Sequence, residues 1–583
     1  MQAVILAAGR GNRLGKLGEN TKALTNVAGR PIIDYTIKSL EKANINKLIV
    51  VVGYKGNLIE NYLYKNYPEL DITIIDENKY TAPSHNNIYS LSLCSDYLEK
   101  DDTILIESDI LIKEDVISNI INDSTTVVVS KYIEGEEGST VFCDHNNKIV
   151  DFDNSLNLKE IYPLDQLYKT VNIYLFKKEF SKTTLNPLLK ESIEKYGVNS
   201  FYESCLYNDV IKYNLKAYIL NNSEWSEVDT PADFDIADIK FETRPEERYN
   251  KISSMYGGYW KFPEIIDCCY LNNAFFSPEP IYQKIKNNLE SLISSYPVGE
   301  FVIRKNAGRL FDINPQNILV ANGASEFIKI LGNILKGNIY IPFLPTFNEY
   351  IQAFENRVIS NPEKADIYLI VNPNNPTNDI FEKDALIDFI SKAKSKNKLV
   401  IIDESFLDFV DNPKVSSLIN DDFLIEHDNL IIIKSLGKSY NINGIKLGIL
   451  TSGNFDIIKA VRDNLPVWNV NALSSLILQE LPSYKEQYTQ ACKQLINERN
   501  RFIYRLQELN QIKVLESNTN FIIIDLLAID SHTFCVDMLD QYNIYIKDLK
   551  NKFDGKRNLI RLSVNLPEIN GQVLRAFHYY FSI

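Results

Sequence analysis

A chain of 583 residues is several times longer than an ordinary single domain, so two catalytic-sized units are expected rather than one core. Its 45% hydrophobic and 24% charged residues are those of a globular protein, and a formal net charge of -14 argues against nucleic-acid partners and leaves small anionic substrates to local cationic pockets. The seven cysteines form no C-x-x-C pair and no zinc-like spacing with the five histidines, and no apolar run suits a signal peptide or a membrane span, so a reducing cytoplasm and no membrane contact are expected.

From residue 1 to about 240, β-branched runs such as KLIVVVG, DTILIESDILI and TTVVVSKY alternate with helical patterns such as PIIDYTIKSLEKA, which predicts a parallel α/β sheet. The first run, AVILAAGRGNRLG, is a strand entering a Gly-rich loop. Backbone N–H groups there, around Leu6, Ala8, Gly9 and Gly11, can cradle a triphosphate together with two arginines, Arg13 among them. Lys22 follows in TKAL, Asn87 in NNIYSL, Asp109 at the strand end in ESDILI, Glu203 in FYES, and Trp225, Glu227 and Asp229 in EWSEVDTPADF.

This series resembles the signature of the sugar-phosphate and choline-phosphate nucleotidyltransferases, a loop LAAGxGxR followed by a lysine and GxPxI, and is similar to the phosphocholine cytidylyltransferase branch through NNIYSL. The resemblance implies a Rossmann-like, GT-A-like domain that binds CTP or another nucleoside triphosphate, with Asn87 in the base-recognition segment. Asp109 and Asp229 would hold Mg²⁺, while Lys22 and Arg13 gather the negative charge of an in-line nucleotidyl transfer. It further implies a small phosphorylated amine as acceptor, its ammonium cradled by Trp225 and Glu227 with Tyr202 and Glu203.

Around 237–262 the sequence turns charged, then aromatic and Gly-containing, without a strand period. A first domain over 1–240, a linker over 241–264 and a second domain over 265–583 are therefore expected. The second holds four apolar strands that each run into a polar loop: NILVANGASEF, DIYLIVNPNNPT, KLVIIDESF and NLIIIKSLGKSY. Ligands of open α/β sheets bind at such strand ends.

A pyridoxal phosphate site needs a lysine on a strand-to-loop connection, a phosphate nest and an acid facing the pyridine nitrogen. Lys438, the helix start at Ala324 and Ser325 (with Ser435 as a further donor), and Asp403 suit those roles, and Asn375 in NPNNPT can donate to the cofactor's phenolic oxygen.

These residues in this order resemble fold-type I aminotransferases of class I/II, most closely the histidinol-phosphate aminotransferases and the related threonine-phosphate decarboxylases, over about residues 265–583. By that likeness Lys438 carries the cofactor covalently, Phe347 stacks on its ring, Arg561 clasps a substrate carboxylate, Lys446 stands where the family has a phosphate-contacting arginine, and Lys434 is a solvated charge without a role. Tyr296 in SSYPVG would reach the cofactor phosphate of a partner subunit, which implies a homodimer through this domain. Two departures stand out: lysine at 446, and Phe406 where many of these aminotransferases carry a tyrosine.

The whole chain thus reads as a bifunctional enzyme. The second domain would make a small amino-phosphate or amino-phosphonate, by transamination with an amino donor or by decarboxylation of phosphoserine or phosphothreonine, and the first would couple it to cytidylate with release of pyrophosphate.

Overall fold

The computed structural model of the chain describes residues 1–18, 21–77, 86–133, 136, 138–154, 158–207, 209–412, 414–553 and 555–582. They divide into two compact units, Met1–Glu264 and Ile265–Ile583.

In the first unit, strands Asp71–Asp76, Lys47–Val52, Gln2–Ala7 and Thr103–Glu107 lie parallel and side by side in that order. Gln2–Ala7 and Lys47–Val52 are near-continuous apolar runs buried on both faces, as helix-covered parallel strands require. The expectation of a wholly parallel sheet is corrected here: Leu167–Phe176 joins Thr103–Glu107 antiparallel and in turn pairs with Thr126–Lys131 and Ser139–Cys143, also antiparallel. Those strands succeed one another with little or no helix between them, and a parallel crossover needs a dozen or more residues, usually helical. Helix Ile32–Lys42 packs its apolar face, including Ile33, Ile37 and Leu40, into the core beneath the sheet.

The stretch 241–264 carries a helix of its own, Pro245–Ser254, which opens on a proline and two glutamates and buries Tyr249 and Ile252. Glu242, buried, holds Arg244 at 2.8 Å and Lys251 at 2.9 Å, which ties the segment to the helix Pro231–Lys240 that Lys251 also reaches through Asp238.

In the second unit a six-stranded sheet runs in the order Ile318–Asn322, Leu447–Thr451, Leu430–Ser435, Leu399–Asp403, Ile367–Val371, Ile339–Tyr340. The last four of these are mutually parallel, and Leu447–Thr451 is antiparallel to both of its neighbours. A smaller antiparallel sheet of Lys513–Val514, Phe521–Asp525, Leu559–Ser563 and Lys547–Asp548 forms a second layer of the C-terminal part. The two apolar clusters on either side of the large sheet leave the polar loops at its carboxyl edge as the natural place for a ligand. No helix among the described residues is long and apolar enough to cross a membrane, and Cys94, Cys143, Cys205, Cys268, Cys269 and Cys492 are free thiols.

Candidate active sites

In the first unit, strand Gln2–Ala7 delivers the Gly-rich loop, with Gly11 at φ 63°, a left-handed turn that favours glycine. The loop returns the chain so that Lys22 lies among the carboxylates at the sheet's edge. Its ammonium donates to Asp109 at 2.6 Å and also to Asp229. Burial works against the Lys22 charge, but the two carboxylates outweigh it and raise its pKa above the ordinary lysine value. Arg13, much more exposed, donates to the other oxygen of Asp229 at 2.7 Å. Asp109 Oδ1 is buried without a hydrogen-bond partner. Lys22, Arg13, Asp109 and Asp229 thus form one constellation, and Leu6, Ala8, Gly9 and Gly11 line the strand and loop that lead into it.

Next to it lies an acidic and aromatic pocket. Asn87 donates to Glu107 at 3.0 Å and accepts from the Tyr202 N–H at 3.0 Å, so its amide serves this pocket. Tyr202 and Tyr174 are fully buried, meet edge to face with centroids 5.5 Å apart, and carry hydroxyls without a hydrogen-bond partner, as do Glu203 Oε2 and Trp225 Nε1. Burial lifts the Glu203 carboxyl to about 7 and pushes Glu107 well above the carboxylate range, the latter helped by Asp109, Glu203 and Glu227. Lys169 donates to Glu227 at 2.8 Å and stands 5.6 Å from the Trp225 ring centroid.

Glu203, Trp225, Glu227 and Asn87 therefore meet as the sequence suggests, whereas Glu107, Lys169 and Tyr174 escaped the sequence reading. Glu107 had a signal, a carboxylate two positions before Asp109 at the same strand end. Lys169 and Tyr174 had none, because they sit within a strand whose pattern is dominated by its apolar residues.

In the second unit, Lys438 is half-buried between aromatic rings, its ammonium 5.1 Å from the Phe406 centroid and 6.0 Å from that of Phe347. Burial pushes its pKa below the ordinary lysine value, Asp403 opposes the shift, and Arg561 reinforces it. Asp403 ends strand Leu399–Asp403, buried; its Oδ1 accepts from the Ser405 N–H and its Oδ2 from the Tyr350 hydroxyl, each at 2.8 Å. Tyr350 was not foreseen, although PTFNEY places it three residues beyond Phe347.

Arg561 is half-buried, donating to Asn375 Oδ1 and to the Cys269 carbonyl, both at 2.9 Å, while its buried Nε has no hydrogen-bond partner. No carboxylate pairs with it among the described residues, so it is a half-buried cation in want of an anion. Helix Ala324–Ile334 begins at Ala324 and Ser325 with Gly323 as its cap. The pairing Asn322↔Leu447 brings the exposed Lys446 alongside that helix start, and Ser435 pairs with Gly448 on the next strand.

One expectation fails. Lys434 is not solvated: it is 4% exposed and pairs with Asp408 at 2.8 Å. Strand Leu430–Ser435 lies inside the sheet with both faces covered, so its lysine has no route to water, and Asp408 and Glu404 outweigh the burial that disfavours its charge. Tyr296 is 80% exposed and stacks on Trp468, with centroids 4.5 Å apart.

The MobA-like NTP transferase domain matches residues 3–155, and aminotransferase class I and II matches residues 345–575. The chain is an enzyme in which a nucleotidyltransferase domain is fused to a pyridoxal phosphate-dependent domain of the class I/II aminotransferases, of fold type I.

It is 26% identical to the CMP-5'-(3-aminopropyl)phosphonate synthase of Streptomyces rubellomurinus, across 99% of this chain and 94% of that protein. It is also 29% identical to an L-serine phosphate decarboxylase of Campylobacter jejuni, over 54% of this chain and 89% of the relative. The solved structure of a decarboxylase from Sulfurospirillum multivorans matches with a TM-score of 0.50 at 25% identity, covering 56% of this chain and 91% of that one.

Proposed function

We propose that the chain makes a small aminoalkyl phosphonate or phosphate in its second unit and activates it with CTP in its first. The observation that carries this reading is that both units present a complete charge constellation, Lys22 with Asp109 and Asp229 in one, Lys438 with Asp403 and the unpaired Arg561 in the other. The likeness over nearly its full length to an aminopropylphosphonate-cytidylate synthase supports pairing the two reactions.

In the first unit, Lys22 and Arg13 bind the triphosphate and the acceptor's anionic oxygen, gathering two anions that would otherwise repel each other. The donor set suits Mg²⁺, a hard cation that takes carboxylate and phosphate oxygens, and the unpartnered Asp109 Oδ1 is a ligand in waiting. Asp109 and Asp229 would hold the ion, which supplies neutralisation of the charge that develops on the phosphates. Among the described residues no cluster of three or more metal-ligating side chains exists, so nucleotide and water oxygens would complete the coordination.

In the second unit, pyridoxal phosphate, when bound, supplies an electron sink for the bond broken at the substrate's Cα. The residues present fit it: Ser325 and the Ala324 N–H at a helix start for the phosphate, with Ser435 and Lys446 beside them, Asp403 for the ring nitrogen, Phe347 for the ring face and Asn375 for the phenolic oxygen. Lys438, held toward its neutral amine by burial, is the nucleophile and the base that holds or moves the proton at Cα. Arg561 takes the substrate's carboxylate. The exposed Tyr296, with Trp468, Phe301 and Ile293 exposed near it in sequence or by contact, supports a homodimer formed through this unit.

Transamination is the reaction after which the family is named. A second reading, decarboxylation, is favoured by one observation: the ring next to Lys438 belongs to Phe406 and offers no hydroxyl to the cofactor, and an L-serine phosphate decarboxylase is among the relatives of this unit.

One assay tests the whole reading. Purified chain is given phosphoserine or an α-amino acid bearing a side-chain phosphonate, with and without an amino acceptor, and carbon dioxide and keto acid are measured; 2-aminoethylphosphonate or phosphoethanolamine is offered separately with CTP and Mg²⁺, and pyrophosphate is measured. Carbon dioxide without acceptor establishes decarboxylation, and acceptor-dependent keto acid establishes transamination. Asp109→Ala is expected to lower pyrophosphate release by roughly 100-fold or more while leaving the second unit's reaction intact. Pyrophosphate release at the wild-type rate in that variant would remove Asp109 from the site.

A further inference from the structure

We infer that Lys169 makes the acceptor pocket of the first unit selective for a primary ammonium and closes it to a trimethylammonium group. The inference rests on the cytidylyl-transfer reading only for the identity of the reaction; the pocket itself is argued from its own geometry.

An alkylated ammonium without N–H groups can be held by aromatic faces and by carboxylates acting through charge alone. The Trp225 indole beside Glu227 is such a combination, and there the chain supplies a cation of its own. Lys169 Nζ lies 2.8 Å from Glu227 Oε2 and 5.6 Å from the Trp225 centroid. Burial opposes the Lys169 charge, Glu227 outweighs it, and the ammonium stays ionised.

The lysine has no alternative place to go. Its side chain is 11% exposed, and a Cβ built on Gly138, a residue at φ 116°, would come within 3.2 Å of Lys169 Cε. The backbone at Gly138 therefore closes on the lysine stem, and its conformation is one that side chains rarely adopt. A second cation entering the indole site would meet Lys169 at close range in a buried place, where like charges repel strongly.

The other half of the cluster is built differently. Glu107 and Glu203 are joined through Asn87, which donates to Glu107 and accepts from the Tyr202 N–H adjacent in the chain to Glu203. Glu203 Oε2 is a buried acceptor without a hydrogen-bond partner, and the hydroxyls of Tyr202 and Tyr174, each able to donate one hydrogen bond and accept another, are buried in the same cluster. The Tyr202 and Tyr174 rings meet edge to face with centroids 5.5 Å apart, and Asn87 ties Glu107 to the Tyr202 backbone beside Glu203, so these groups share one small space. Each unpartnered acceptor is expensive to bury. A primary ammonium brings three N–H donors to Glu203 Oε2 and its neighbours; a trimethylammonium brings none.

The residue that decides between the two is thus Lys169, which acts on specificity and takes no part in the chemistry. Full-length protein with Mg²⁺ and α,β-methylene-CTP, which cannot react, is titrated calorimetrically with 2-aminoethylphosphonate, phosphoethanolamine and phosphocholine. The first two are expected to bind at least roughly tenfold more tightly than phosphocholine. In Lys169→Met, and in Lys169→Met/Glu227→Gln, which leaves no buried charge unpaired if the single variant folds poorly, phosphocholine binding should tighten until the ratio falls to about threefold or less. Equal binding of all three by the unaltered protein, no binding of any, or a ratio that survives both substitutions overturns the inference. Pyrophosphate release with CTP is measured separately: selective binding without any release would overturn the cytidylyl-transfer reading and leave the selectivity of the pocket standing.

Discussion

Two half-buried lysines, one in each unit, are treated in opposite ways. Lys22 is surrounded by Asp109 and Asp229 and held charged. Lys438 is wrapped by Phe347 and Phe406, with Arg561 near and both oxygens of Asp403 already engaged, and is pushed toward neutrality. The same side chain becomes a fixed cation for phosphates in one place and a nucleophilic amine in the other, and the neighbouring carboxylates decide which. Where the carboxylate oxygens are free to take the ammonium, the charge stays; where the protein's own donors occupy them, burial prevails.

The largest effects should come from removing the two lysines. Lys438→Met is expected to abolish the second unit's reaction, by on the order of 10³-fold or more, together with the visible absorption of lysine-bound cofactor. Its effect on folding should run the other way. A lysine with a depressed pKa binds fewer protons folded than unfolded, so the wild-type unit gains stability as pH rises toward the ordinary lysine value of 10.5. The methionine variant, free of that burden at neutral pH, should melt no lower than wild type and lose the alkaline gain.

Lys22→Met should do the opposite in protein free of Mg²⁺. Its raised pKa contributes stability that is present at neutral pH and lost only above the ordinary lysine range, and breaking this buried cluster leaves two carboxylates face to face, a loss of about 3 kcal/mol or more. Scanning calorimetry of the two full-length variants checks both signs, and melting shifts of the same sign would break the contrast between the lysines.

The parts of these sites that could be read from the sequence were those tied to local pattern. A strand running into a Gly-rich loop, NPNNPT between strands and a lysine just beyond an apolar run each announce a strand end, and strand ends are where Asp109, Asn375, Asp403 and Lys438 stand. The parts that could not be read depend on which distant elements meet. Lys434 looks like any surface lysine until the sheet order shows its strand enclosed on both sides, with Asp408 brought to it from another loop. Lys169 and Glu227 are far apart in the chain and meet because their strands reach the same edge of the site. The mixed sheet was hidden for the same reason, since an apolar run looks alike whichever way its neighbour runs.

A smaller effect sharpens the comparison through pH. Glu203, raised to about 7 by burial, keeps its proton when the unfolded chain has already lost it, so between its ordinary value of 4.5 and about 7 the unliganded unit loses stability as pH rises. A ligand ammonium reverses the preference by favouring the ionised carboxylate. Binding of 2-aminoethylphosphonate should therefore strengthen from pH 5.5 to 7 and release a proton at the lower pH, and then level off. Calorimetry in two buffers of different ionisation enthalpy counts that proton; Glu203→Gln should abolish its release, and release unchanged in that variant would assign it to another group.

The smallest effect concerns the hydroxyl that separates the two aspartates. Asp109 keeps a bare oxygen, whereas Asp403 receives Tyr350 at 2.8 Å in addition to the Ser405 N–H. That second donor fixes the carboxylate's orientation before the cofactor arrives and draws off part of the negative charge that would otherwise hold Lys438 protonated. Tyr350→Phe keeps the ring that packs edge to face with Phe347 and removes only the hydrogen bond, a change of about 1 kcal/mol. Pyridoxal phosphate should then dissociate several-fold more readily and the apparent pKa of Lys438 should move upward, read from the pH dependence of the rate at which apo protein takes up the cofactor. Pyrophosphate release by the first unit should stay unchanged. If the uptake profile does not move, Asp403 is held by Ser405 alone, and the carboxylates of the two units differ less than their hydrogen bonds imply.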